Sequence, residues 1–310
     1  MMMMPSSNFE GAVQEHGNLM RRVALAAVVV GLLLVAIKAV AFIVTDSIAM
    51  MASLADSALD VIGSFVNLLA VRHALTPADA EHRFGHGKAE PLAGLAQSAF
   101  IAGSSVFLVI ESAQRLTAPR PVENGFAGLV VMGLSVAAAI GLVVAQRFVV
   151  RRTGSVAIHA DFMHYLGDIV VNFGVVIAIV LSISFHLLYA DPIIGILVAL
   201  VLAAGSWNVF GQSYNQLMDR ELPDEDRARI RAIALRHPDV RDMHDLRTRA
   251  AGVRCFIQLH IEMDPAFSLM RSHGVADDVE AAIQAAFPNA EIIIHQDPEG
   301  YESPAALAKS

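Results

Sequence analysis

Residues 51–71 read MASLADSALDVIGSFVNLLAV, an apolar run that carries two aspartates, Asp56 and Asp60, four residues apart. Residues 164–183, HYLGDIVVNFGVVIAIVLSI, repeat the arrangement with His164 and Asp168. On a helix an i,i+4 pair shares one face. An ionisable group at membrane depth costs at least ~2.5–3.5 kcal/mol on insertion scales, so its presence points to function. Three carboxylates and one imidazole make a four-ligand set for a divalent transition metal. This stretch predicts a metal site inside a membrane, built from Asp56, Asp60, His164 and Asp168.

Each pair belongs to a longer polar stripe. Ser53, Asp56, Asp60, Ser64 and Asn67 recur at steps of three and four, and Asp161, His164, Asp168 and Asn172 do the same. Neither stripe faces lipid cheaply, so the two are expected to face each other or a wet cavity. At 1.5 Å per residue, the first pair lies roughly 12–18 Å into its span, and the second lies at a similar depth. The bland reading is interhelical hydrogen-bonding glue. Two pairs at matched spacing and depth argue against it. Asp161 sits a turn nearer the helix start, as a helix-start residue or as part of a proton or ion path. His159 lies on another face. Asp46 reads as a cap from the outer loop, and Lys38 as a residue that pairs or snorkels.

The surroundings agree. The 310-residue chain is 55% hydrophobic and only 17% charged, with a mean hydropathy of +0.54, which is a membrane-protein composition. Six stretches approach the roughly 20 apolar residues of a span, at about 22–44, 48–71, 91–115, 125–147, 156–185 and 190–214. The expected organisation is a disordered tail over 1–20, a six-helix transmembrane domain over 21–215, a soluble domain over 216–298 and a C-terminal tail over 299–310. The first residues lack the layout of a cleavable signal peptide. Arg21, Arg22, Arg72, Arg83, Lys88, Arg147, Arg151 and Arg152 fall on one side, against Arg115 and Arg120 on the other. That bias places both termini and the soluble domain in the cytoplasm. The net charge of −8 argues against a nucleic-acid partner. A single cysteine, Cys255, excludes an intrachain disulfide and reads as a small buried strand residue.

Two further clusters lie outside the spans. In TPADAEHRFGHGKAEP, residues 76–91, Asp79, His82 and His86 form D-x2-H-x3-H, a three-ligand set with an open position, on a backbone that Gly85 and Gly87 allow to turn tightly. The tail alternates helix and strand signals: a charged helix over 224–236, the strand CFIQLHIEM over 255–263, a helix over 268–287 and the strand AEIIIHQDP over 290–298. Ile257, Leu259, Ile261 and Met263 alternate with Gln258, His260 and Glu262, as in a half-buried strand. The predicted order is α-β-β-α-β, a small ferredoxin-like α+β domain. His244, His260, His295 and Asp297 lie at strands or strand ends and are candidates for a second metal cluster, with His273 nearby on the helix.

The stretches at 54–101, HADFMHYLGD, QLMDRELPDED, HDLRTR and IIHQDP resemble the cation diffusion facilitator family, in its zinc- and ferrous-iron-efflux branch. The resemblance covers about residues 20–298. It implies six transmembrane helices plus a cytoplasmic α+β domain, a homodimer, and a bacterial inner-membrane location. It also implies roles: Asp56, Asp60, His164 and Asp168 as the transport site, and Asp79, His82 and His86 as the loop site. His244, His260, His295 and Asp297, with His273 close by, become a binuclear cytoplasmic site at the dimer interface. Lys88 and Asp219 become a salt bridge linking the membrane and cytoplasmic parts across the dimer. The implied activity is proton-coupled metal efflux by alternating access, not enzymatic catalysis. Zn2+ is both cargo and regulator, with Fe2+, Cd2+ and Mn2+ as further cargoes, and metal ions, protons and the lipid bilayer are the partners. An intramembrane metalloenzyme is disfavoured because no H-E-x-x-H or comparable base stands beside the ligands. A metal-gated channel is the other alternative.

Overall fold

A computed structural model describes residues 6–45, 48–117, 126–185 and 189–300. Six long helices come first: α1 (Ser6–Thr45), α2 (Ile48–Ala74), α3 (Ala89–Thr117), α4 (Phe126–Thr153), α5 (Val156–Phe185) and α6 (Ala190–Leu217). Each contains a stretch long and apolar enough to cross a membrane, the shortest being 22 residues, or about 33 Å. Their polarity is inside out relative to a soluble protein. Leu32, Leu33, Ile43, Val144, Leu200 and Trp207 are exposed, while Ser57, Ser64, Asn67, Glu90, Gln97, Gln146 and Asp161 are buried. Helices with apolar outer faces and polar contacts between them suit a hydrocarbon solvent. Helix α5 lies in the middle of this arrangement, packed on α2, α3 and α4.

One boundary differs from expectation. Helix α1 begins at Ser6, inside the stretch read as a disordered tail. Once a long apolar helix is nucleated, adding residues such as Glu10, Ala12, Gln14 and Glu15 costs little, because propagation lacks the entropy penalty of nucleation. Asp46 lies outside the described residues.

The chain divides into two compact units, Gly17–Tyr214 and Asn215–Ser310, the latter together with Met1–His16. The second unit carries α7 (Asp224–Ala234), β1 (Asp242–Ala251), β2 (Arg254–Met263), α8 (Leu269–Ala286) and β3 (Ala290–Pro298), the α-β-β-α-β order read from the sequence. Pro223 precedes α7, and Asp224, Glu225 and Asp226 occupy its first turn, where negative charge complements the helix dipole. Ser268 caps α8 by accepting from the Arg271 N–H at 3.4 Å. Strand β2 is central, antiparallel to β1 and parallel to β3. Gly252, at φ 62°, turns β1 into β2.

Ile257, Leu259, Ile261 and Met263 of β2 are buried against Ile230 of α7 and Val275, Val279 and Ile283 of α8. The alternation expected of that strand therefore holds, and the helices cover one face of the sheet. Cys255 is buried on the same strand. Burial, with the Asp226 charge adding to it, pushes its thiol up to about 11. The linker after α6 is tied to β1. Glu221 accepts from the Thr248 backbone N–H at 2.8 Å, and Thr248 Oγ1 accepts from the Leu222 N–H at 2.9 Å.

Candidate metal centres

The two polar stripes meet. His164 Nε2 of α5 lies 3.1 Å from Asp60 Oδ1 of α2 and 3.9 Å from Asp168 Oδ2 one turn further along α5. Asp60, His164 and Asp168 each offer a ligand atom within 4.8 Å of the others. Phe100 stands edge-on to the His164 ring, with centroids 5.7 Å apart, and Asn172 Nδ2 donates to the Asp168 carbonyl at 2.7 Å. Asp56, read as the fourth ligand, is outside this trio and exposed. It shares the face of Asp60, one turn earlier on α2.

The residues around the trio also differ from their sequence readings. Asp161 is neither at a helix start nor facing solvent; it is 1% exposed. It accepts from Gln146 Nε2 of α4 at 2.7 Å and from Ser64 Oγ of α2 at 3.3 Å, and Ser64 is 3.0 Å from the Tyr165 hydroxyl. The network joins three helices a turn below His164. Sequence reading missed Gln146 and Tyr165; Gln146 stands beside Arg147 at the end of the fourth span, where a polar residue is no signal. Lys38 is buried and donates to Ser57 Oγ at 2.6 Å and to the Ser53 carbonyl at 3.2 Å, so it pairs with α2 and does not snorkel.

The loop cluster forms as spaced. Asp79 lies 3.4 Å from His82 Nδ1 and 3.4 Å from His86 Nε2. Its Oδ1 also accepts the backbone N–H groups of His82 at 2.6 Å and Glu81 at 2.9 Å. Those two hydrogen bonds, His82's the stronger influence, hold its carboxyl below the ordinary carboxylate range. Asp79 thus stays anionic into acid. Gly85, at φ 76°, turns the chain so that His86 is buried while His82 stays exposed. The His73 ring, on the last turn of α2, packs 4.6 Å from that of His86.

In the second unit the register builds a row across the sheet. His244 pairs with His260 between β1 and β2, and His260 with His295 between β2 and β3. All three converge on the buried Asp297: His260 Nδ1 at 2.8 Å, His295 Nε2 at 3.3 Å and His244 Nε2 at 3.4 Å. Two acids missed by sequence reading adjoin the row. Glu262 Oε1 is 3.3 Å from His244 Nδ1, and Asp245 Oδ2 is 4.0 Å from His260 Nε2. Asp245 sits at φ 45°, where the β1–β2 register shifts. Such a bulge re-aims a side chain. His273 stands apart. It is on α8, 64% exposed, and 3.6 Å from Asp277. Asp219, at φ 54°, pairs with Arg249 at 3.4 Å.

A polytopic helical bundle with a buried histidine–carboxylate cluster, joined to a small α+β domain with its own, has the layout of a membrane transporter for metal cations. Sequence comparison gives the family. The profile of the cation efflux transmembrane domain matches residues 24–218, and that of the cation efflux protein cytoplasmic domain matches residues 222–299. The cation-efflux pump FieF of Shewanella oneidensis is 42% identical over 273 residues, 88% of this chain and 92% of that protein. FieF of Cronobacter sakazakii is 43% identical over 284 residues, 92% and 94% of the two chains. A solved structure of the zinc transporter CzrB is 36% identical and covers 26% of this chain and 99% of its own, at a TM-score of 0.25. The chain belongs to the cation diffusion facilitator family of cation-efflux transporters. It is a multi-pass membrane transporter with a cytoplasmic domain, not an enzyme, and its substrates are metal cations.

Proposed function

We propose that this transporter exports divalent transition metals, zinc foremost, from the cytoplasm in exchange for protons, by alternating access across a bacterial inner membrane with both termini cytoplasmic. The Asp60–His164–Asp168 cluster between otherwise apolar helices carries this reading. One imidazole among carboxylates suits zinc and accommodates cadmium, ferrous iron and manganese, and the affinity order favours zinc over the last two. Asp56 completes the shell as the fourth ligand when its turn of α2 shifts toward His164. Ligands must be deprotonated to bind metal. Protons entering from outside therefore compete for His164, whose unperturbed counterpart titrates near pH 6.5, and eject the cation.

Asp79, His82 and His86 act as a loop site. His244, His260, His295 and Asp297, with His273, form the cytoplasmic site where zinc is sensed and a homodimer tightened, with Lys88 and Asp219 linking membrane and cytoplasmic parts across that dimer. The test is metal-driven proton flux in proteoliposomes across the series zinc, cadmium, ferrous iron and manganese. Saturable zinc uptake with counterflow of protons is expected. Flux that rises linearly with metal and ignores the pH gradient would instead identify a channel.

A further inference from the structure

The mechanism above leaves the buried carboxylate of Glu90 unused. Glu90, in the first turn of α3, is 0% exposed. Its Oε2 accepts from Ser155 Oγ, while its Oε1 is buried with no hydrogen-bond partner among the described residues. Ser155 in turn caps α5, accepting from the Ile158 N–H at 3.2 Å. The Glu90 side chain is thus a clasp from α3 onto the first turn of α5, the helix that carries His164 and Asp168. Backbone N–H groups at a helix start and the positive end of its dipole both favour a carboxylate there. The fit around the clasp is tight: a Cβ at Gly94, one turn along α3, would collide with Ser213 Oγ of α6 and come within 3.0 Å of Val156 Cγ1.

The other end of the clasp reaches the loop. Helix α3 starts three residues after His86, with the Ala89 N–H bonded to the His86 carbonyl at 2.9 Å and the Glu90 N–H to that of Gly87 at 3.3 Å. The buried His86 and the buried Glu90 are therefore one helical turn apart on a continuous hydrogen-bonded backbone.

We propose that Glu90 is a positioning residue for the transport site. It fixes the start of α5, and with it His164 and Asp168, and it conveys the state of the loop cluster to that helix. This rests on the assignment of both clusters as metal sites. Glu90 acts as a hydrogen-bond acceptor, so a neutral acceptor of the same shape should serve. A proton carrier could not be replaced in that way.

The test uses the full-length protein in proteoliposomes, with zinc for transport and cobalt for the visible ligand-field spectrum of the transport site, recorded in an Asp79→Ala/His82→Ala/His260→Ala/His295→Ala background so that the loop and sheet clusters are silent. Glu90→Ala is expected to raise the zinc KM about tenfold, the scale of losing a group that orients a metal ligand, with kcat changed less, and to alter the cobalt spectrum. Glu90→Gln is expected to restore both. Ser155→Ala, which removes the donor without touching Glu90, should move the spectrum the same way and serves if Glu90→Ala does not fold. In an otherwise unaltered protein Asp79→Ala should raise the zinc KM, and that effect should vanish once Glu90→Ala cuts the clasp. A Glu90→Ala or Ser155→Ala protein that loses thermal stability but keeps the parent spectrum and KM overturns the proposal. So does a Glu90→Gln protein as impaired as Glu90→Ala. Asp60→Ala is the control: if it transports like the parent, the transport-site assignment itself fails, separately from the clasp.

Discussion

Two of the histidine–carboxylate clusters sit in different surroundings. In the helical unit, Asp60, His164 and Asp168 lie between helices whose outward faces are apolar, the His164 side chain 9% and the Asp168 side chain 38% exposed. In the sheet unit, His244, His260 and His295 lie on the face away from α7 and α8, backed by one buried acid, Asp297, with the His295 side chain 63% exposed. A charge stranded in the first setting has no water to fall back on, whereas a charge stranded in the second is solvated from outside. Single changes should therefore be severe in the first cluster and graded in the second.

The largest expected effect is in the helical cluster. Asp60→Ala or Asp168→Ala should lower zinc transport by about a hundredfold or more, with little change in folding, because each removes a ligand and no neighbour substitutes for it. Vesicle uptake at the parent rate by either variant would erase the contrast. His164→Asp comes next. It makes the site all-carboxylate and harder, so manganese should gain on zinc by about tenfold, read from competition uptake. An unchanged zinc preference would show that the imidazole is not a ligand.

A smaller effect is expected in the sheet unit. His260→Ala should abolish zinc-dependent stabilisation of the cytoplasmic domain, about 2.7 kcal/mol at a hundredfold excess over Kd, while transport falls only a few fold. Differential scanning of the full-length protein with and without zinc checks it. Near-total loss of transport would mean the two clusters are equally unforgiving. His273→Ala should do least. An exposed pair such as His273–Asp277 contributes at most about 1 kcal/mol, and His273 stands off the row in a single protomer. A His273→Ala loss as large as that of His260→Ala would mean that the row is completed from the partner subunit.

The same contrast explains what could be read beforehand. Helical spacing is local, so the pairing of Asp60 with His164 and Asp168, and the facing of the two stripes, followed from steps of three and four. Spacing puts Asp56 and Asp60 on one face, but which of the two side chains lies within reach of His164 is a matter of tertiary packing. The spacing D-x2-H-x3-H was likewise local, and the loop cluster formed. Strand register is not local. The alternation in CFIQLHIEM placed His260 on the polar face, but its alignment with His244 and His295 comes from pairing between strands. A bulge at Asp245 adds an acid that no pattern marks. His273 looked near because α8 precedes β3 in sequence; the helix packs on the opposite face of the sheet. Asp161 was read as a helix start because its buried partner Gln146 lies on a different span.

The histidine row has a kinetic consequence. His244 and His260 are joined by a tight hairpin through Gly252, a local pairing. His260 and His295 meet only after the α8 crossover has docked and the parallel β2–β3 ladder has closed, and non-local pairings of that kind form late. A cation bridging all three strands, as proposed for this row, would bind only once the last ladder is in place. It would then not template folding of this domain but act as a latch, slowing the opening of a finished sheet far more than it speeds its assembly. Zinc depletion should therefore show first as faster unfolding and faster proteolysis, with the refolding rate unchanged.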